Sequence, residues 1–131
     1  MTLKNLFIPL SLTALVMVTG CSEEEKKNNM TLANPASKNC IEKGGKLQIA
    51  KRGDGGEYGI CYFEDNKQCE EWALMRGQCP VGGVKVTGYM TQEGVYCAIT
   101  GGTPEDQETQ CKLPSGKVCE AQKYYDGTCS E

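Results

Sequence analysis

Histidine is absent from the 131 residues, and with it the side chain that most often serves as a general base near neutral pH. No two cysteines stand at the C-x-x-C spacing, so zinc ribbons, haem attachment and thioredoxin-like chemistry lack their residues. Neither the dinucleotide nor the P-loop pattern of glycines is present, which leaves no phosphate cradle. The net charge is −3 with no basic stripe, an argument against nucleic acid and against an electrostatic grip on anionic lipid. These absences predict a protein that is not an enzyme and carries no cofactor or metal.

What is present begins with an export signal. Lys4 precedes the apolar run Leu6 to Val18, too short to span a bilayer with the usual flanks and so read as a signal h-region. The run closes on Val18-Thr19-Gly20-Cys21, which resembles a bacterial lipoprotein signal. The resemblance implies that Cys21 becomes the new N-terminus with its sulfur acylated, by palmitate or a similar chain, and holds the protein to a membrane. An ordinary secretory signal ending by chance at a cysteine is the alternative. Ser22 after the acylated cysteine favours, by resemblance to Gram-negative lipoproteins, the outer membrane, with the protein facing the periplasm. Residues 22–29 are polar and charged with nothing to bury, a solvated tether. Removing residues 1–20 takes away only Lys4 and moves the net charge to −4.

Nine cysteines are present. With one taken by lipid, eight remain, an even number that in a short exported domain reads as a disulfide framework. They fall into two sets of four. Cys40 followed after three residues by Gly44-Gly45 matches Cys97 followed by Gly101-Gly102, and Cys61, Cys69 and Cys79 match Cys111, Cys119 and Cys129 at identical spacing. Lys67 and Lys117, Glu70 and Glu120, and Gly77 and Gly127 also agree. Such self-similarity predicts two copies of one small unit. The expected organisation is a signal over 1–20, the lipidated cysteine and tether over 21–33, a first repeat over 34–80, a connecting strand over 81–90, and a second repeat over 91–131.

Each unit is too small to be held by core burial alone, and closing a loop of roughly 20 residues with a disulfide adds on the order of 3 kcal/mol. In the first unit, Asn34-Pro35 caps a helix that Gly44 stops. Lys46 to Lys51 and Glu57 to Phe63 read as strands joined by the turn Arg52 to Gly56. A second helix, Lys67 to Arg76, follows a cap at Asp65 or Asn66, with Cys69, Trp72, Ala73 and Arg76 as its inward stripe. In the second unit, Thr91 to Thr100 is the matching first helix, and Pro104 to Gln110 leaves little room for a hairpin. Val84 to Tyr89 alternates like a strand. The fold class is therefore a small disulfide-rich α+β domain of two tandem helix–β-hairpin–helix units, the second with a shortened hairpin. Cysteines at opposite ends of one helix lie too far apart to bond, so the expected pairs are Cys40–Cys69, Cys61–Cys79, Cys97–Cys119 and Cys111–Cys129.

The string from Asn34-Pro35-Ala36-Ser37 and Cys40 through Gly44-Gly45, Gly56-x-x-Gly59-x-Cys61 and Cys69-Glu70-Glu71-Trp72-Ala73 to Arg76-Gly77-x-Cys79 resembles a short bacterial domain of unknown function. Its members are often labelled haemolysins. Tyr96 to Gly102 and Tyr124-Tyr125-x-Gly127-x-Cys129 look like a companion copy in longer members, except that Gln122-Lys123 stands where the pattern would have Trp-Ala. The resemblance implies an exported, often lipidated module with no established activity.

Trp72 beside Cys69 reads as core, with an exposed anchor for a partner as the alternative. Glu70 and Glu71 diverge around a helix, unlike a glycosidase pair, and suit the helix dipole instead. Glu105, Asp106 and Glu108 form an acidic loop that fits no EF-hand. Tyr124 and Tyr125, with Tyr89 and Tyr96, read either as packing over disulfides or as a recognition surface. The expected function is a non-enzymatic binding or accessory module that presents a rigid surface to an envelope protein or cell-wall component. One alternative is an inhibitor of a hydrolase acting through the loop Asp54 to Glu57. The other is membrane damage, for which no basic amphipathic helix is present.

Overall fold

The structure, a computed structural model, describes residues 34–131; Cys21, the expected signal and the tether lie outside the described residues. The chain opens with helix α1 (Pro35–Glu42), whose first amides bond to the Asn34 side chain and whose first position is proline. Strands β1 (Lys46–Lys51) and β2 (Glu57–Tyr62) form the expected hairpin, Leu47 opposite Cys61 and Ile49 opposite Gly59.

The next segment departs from expectation. Lys67 to Arg76 is not one helix: Lys67–Glu70 is a third strand, β3, which pairs with β2, and only Glu71–Met75 is helical, α2. Asp65 and Asn66 are not a helix cap; both sit at positive φ in the turn between β2 and β3. The pull into the sheet comes from Cys69, which faces Cys61 directly across the ladder. Val84–Lys85 forms a short edge strand, β4, against β3, so most of the expected strand Val84 to Tyr89 is not strand and what forms completes the first sheet.

The second half runs α3 (Gln92–Ile99), β5 (Thr103–Glu105), β6 (Gln110–Lys112), β7 (Val118–Glu120) and α4 (Ala121–Tyr125). Strands β5 and β6 are the shortened hairpin, and β7 adds to β6 with Cys111 opposite Cys119. Among the described residues there are four α-helices and two antiparallel sheets, ordered β1-β2-β3-β4 and β5-β6-β7. Both halves carry a third strand that the helix–hairpin–helix reading lacked.

All eight cysteines from Cys40 onward are in disulfides, but the pairs are Cys40–Cys61, Cys69–Cys79, Cys97–Cys111 and Cys119–Cys129. The expected pairs inherited the error in helix two. With Cys69 on a strand and the helix ending at Met75, the chain turns back through Gly77 at φ 76° and brings Cys79 within 5.8 Å, Cα to Cα, of Cys69. Two fully buried disulfides with Ala73 and Leu74 make the core of the first half. The second core gathers Cys97, Cys111, Cys119, Leu113 and Ala121. The halves meet where Ile60, on the other face of the first sheet, packs with Val86 and Ile99.

The double glycines divide the work at the end of each first helix. Gly44 and Gly101 take positive φ, 86° and 93°, the left-handed stop that follows a helix. Gly45 and Gly102 are needed for space: a Cβ on Gly45 would strike Cys61 Sγ, and one on Gly102 would lie 2.8 Å from Cys111 Sγ. Gly45→Ala and Gly102→Ala should therefore each cost about 1–3 kcal/mol in urea unfolding, the usual penalty for overpacking. Peptide mapping under non-reducing conditions should recover Cys40 joined to Cys61 and Cys69 joined to Cys79; a Cys40–Cys69 peptide would refute the arrangement.

Candidate functional site

Strand β2 pairs with β1 along its whole length but with β3 only from Ile60 onward. Beyond Glu70 the chain leaves the sheet for α2, so Glu57, Tyr58 and Gly59 have no strand on that side. A groove of about 1170 Å³ opens there. Helix α1 contributes Ser37, Ile41 and its N-cap Asn34 to it, β1 contributes Lys46, Leu47 and Ile49, and α2 contributes Glu71, Trp72 and its C-cap Arg76. Gly45, Arg52, Glu70, Tyr96, Thr100 and Tyr124 also line it.

Glu71 ties three elements together at the floor. It is 3% exposed, and its carboxylate accepts from Asn34 Nδ2 at 3.0 Å and Ser37 Oγ at 2.6 Å. The charge lies at the N-terminus of α1, where the helix dipole favours an anion. Gly59 makes room for it, since a Cβ there would meet the Glu71 carboxyl carbon at 2.5 Å. Glu70 caps α2, accepting from the Trp72 and Ala73 amides at 3.0 and 2.8 Å. Burial raises its pKa above the usual carboxylate value, against those two amide bonds. The pair is thus structural, as the first-turn placement suggested, and both members sit at the groove.

Trp72 is not core: it is 40% exposed. The buried apolar residues of that segment are Cys69, Ala73 and Leu74, while Arg76 is exposed. A helix beginning at Glu71 rather than Lys67 points the indole out of the sheet-packed face. Ile41 and Ile49, also exposed, stand on the same groove. Tyr124 and Tyr125 do cluster, but around Tyr96, with ring centroids 5.2 and 5.3 Å from it, and Tyr58 joins at 5.1 Å. Burial pushes the Tyr58 phenol up to about 12 and raises Tyr96 as well, where Arg52 partly opposes the shift. Tyr89 is not in this cluster and is 36% exposed.

The loop Asp54 to Glu57 leans on the second half. Asp54 pairs with Arg52 at 3.1 Å and accepts from the Gly56 amide at 2.8 Å. Tyr125 donates its hydroxyl to the Lys51 carbonyl at 3.0 Å, and a Cβ on Gly127 would come within 2.9 Å of Asp54. Glu57 is exposed at the groove.

The second half has a smaller hollow, about 370 Å³, at the corresponding place. Counted from the cysteines, Thr91, Thr109, Glu120 and Gln122 stand there where Asn34, Gly59, Glu70 and Trp72 stand in the first half. Its helix is clasped differently. Glu108, from the acidic loop, accepts from the Met90 and Thr91 amides and from Thr91 Oγ1 at 2.6 Å, bonds that lower its pKa. Gly94 leaves space for that carboxylate. Among the described residues, no group of three or more histidine, cysteine, aspartate or glutamate side chains is placed to hold a metal. Sequence reasoning missed the groove and the Glu71 clasp; Gly59, two residues before Cys61, was the available signal.

Glu71→Ala should lower stability by about 2–3 kcal/mol, the cost of leaving the buried Ser37 hydroxyl and the part-buried Asn34 amide unmatched, and Ser37→Ala by about 1 kcal/mol. For Glu70 the sign follows from its raised pKa: protonation favours the folded state, so its contribution is complete below the unfolded value and is lost as pH rises through the folded one. Wild type should thus lose stability relative to Glu70→Gln as pH rises above the ordinary glutamate pKa, about 4. A difference independent of pH in paired urea titrations would contradict this.

A family profile described as a Domain of unknown function (DUF333) matches residues 31–78, which span α1 to the end of α2 and carry most of the groove. The uncharacterized protein YoaF of Escherichia coli strain K12 is 35% identical over 80 residues, covering 57% of this chain and 94% of that protein. The uncharacterized protein YdbJ of the same strain is 26% identical over 76 residues, covering 50% of this chain and 86% of that protein. No solved structure matches. With nearly the whole of YoaF aligned at this identity, the chain belongs to the DUF333 family.

Proposed function

We propose that this protein is a non-enzymatic binding module, attached through lipid on Cys21 to the outer membrane and facing the periplasm, and that the groove beside Trp72 is its binding site. The observation that carries the reading is the coincidence of three exposed apolar side chains, Ile41, Ile49 and Trp72, around one hollow floored by buried polar groups. Convergent apolar and polar lining of this kind is the usual character of a ligand site, and exposed apolar clusters on small proteins mark interaction surfaces. Its partner is an envelope protein or cell-wall component.

The two halves are copies of one unit, and only the first keeps a binding groove. Matching cysteine spacing, matching strand order and relatives that each align with about half of the chain support this reading. In the second copy glutamine replaces the tryptophan and the hollow shrinks to about 370 Å³.

Affinity capture from an envelope extract with the oxidised mature protein tests the site. A partner retained by wild type, lost on reduction and alkylation, and weakened at least about tenfold by Trp72→Ser fits a hot spot at the groove. Equal retention by Trp72→Ser would move the site elsewhere. Labelled palmitate should enter the full chain and be absent from Cys21→Ser.

A further inference from the structure

We infer that the groove takes a neutral oligosaccharide. The inference rests on the groove being the binding site and adds the class of ligand. Three side chains that carry positive charge, Lys46, Arg52 and Arg76, line the hollow, and so do three carboxyls, Glu57, Glu70 and Glu71. A site with no charge bias gives no electrostatic advantage to a polyanion, an acidic headgroup or a polycation.

Two kinds of uncharged ligand remain, an apolar peptide and a sugar chain, and the lining separates them. Trp72 presents its exposed indole to the hollow from α2, beside the half-buried rings of Tyr58 and Tyr124, which close on the buried Tyr96. Flat rings pack well against the C–H faces of pyranose rings. Between them lie planar, multidentate polar groups, the guanidinium groups of Arg52 and Arg76 and the amide of Asn34. Arg52 is paired with Asp54, Arg76 with Gln78 and Asn34 with Glu71, and each group has further N–H donors to offer. An apolar peptide side chain would bury such groups without partners, which costs free energy. Sugar hydroxyls donate and accept and would satisfy them. The volume, about 1170 Å³, lies above the common range of small-molecule sites, roughly 300–1,000 Å³, and suits several linked rings rather than one.

Trp72 is the sole tryptophan of the chain, so its emission reports on the groove alone. The oxidised mature protein would be titrated with chitotetraose, cellotetraose and a neutral heptapeptide of alternating leucine and serine, with amide spectra recorded in parallel. The expected result is a saturable change in Trp72 emission with a tetrasaccharide and amide shifts centred on Gly59, Glu70 and Trp72. Affinity should change less than about twofold across a tenfold range of salt, because no charge is neutralised on binding. Trp72→Ala, read by the amide spectrum, should weaken binding at least about tenfold while leaving shifts in the second half unchanged. A saturable response to the peptide but to neither sugar would overturn the sugar assignment and leave the groove as the site. Silence of Trp72 toward all three probes, with a partner captured whose binding ignores Trp72, would overturn both.

Discussion

Cys61 and Cys69 face each other across β2 and β3, yet each takes its sulfur partner from outside the sheet, Cys61 from α1 and Cys69 from the chain beyond α2. Two disulfides thus lie side by side on one sheet face and pin both helices to it. The arrangement recurs at Cys111 and Cys119. In the core cluster of the first half, where Ala73 and Leu74 are the other buried members, sulfur replaces the aliphatic volume that a larger domain would supply. Each bridge closes a loop of 10 to 21 residues, worth roughly 3 kcal/mol in chain entropy. The glycine beside each first disulfide, Gly45 or Gly102, follows from the same crowding.

The groove depends on this frame. Because Cys69 anchors β3 to β2, the chain can leave the sheet one residue later without loosening it, and the uncovered stretch of β2 becomes a wall. Glu71 then fixes α1 to α2 across Gly59. The groove residues stand on elements locked by buried charge-assisted hydrogen bonds and by disulfides, so under the proposed reading little ordering would remain to be done when a ligand enters. The second half uses Glu108 for the clasp on its first helix, and its Glu120 is exposed beside Lys123 and makes no cap. Equivalent backbone frames thus carry different side-chain solutions.

Much of the frame was legible in the sequence. Asn34-Pro35, Gly44 and the turn at Arg52 to Gly56 bounded α1 and the first hairpin because caps, proline and glycine act locally. Thr91 likewise marked α3 despite the glycine at 94. The second helix was misread because Cys69, Trp72, Ala73 and Arg76 recur at helical spacing over ten residues that are also long enough for a strand and one helical turn. Pairing with β2, a contact between residues distant from any local signal, decided the outcome. The disulfide scheme and the interior placement of Trp72 fell with it. Neither the groove nor the role of Gly59 was visible from spacing, since both depend on which way α2 leaves the sheet.

Each disulfide joins a cysteine to the next one along the chain, 40 to 61, 69 to 79, 97 to 111 and 119 to 129. A polypeptide delivered N-terminus first into an oxidising space would meet its native partners in order. Every thiol that emerges finds either an empty queue or one waiting mate, and correct oxidation requires no later exchange. The same order leaves the stretches 62–68, 80–96 and 112–118 outside every covalent loop. One backbone cut in any of them would divide the molecule into pieces held together by packing alone.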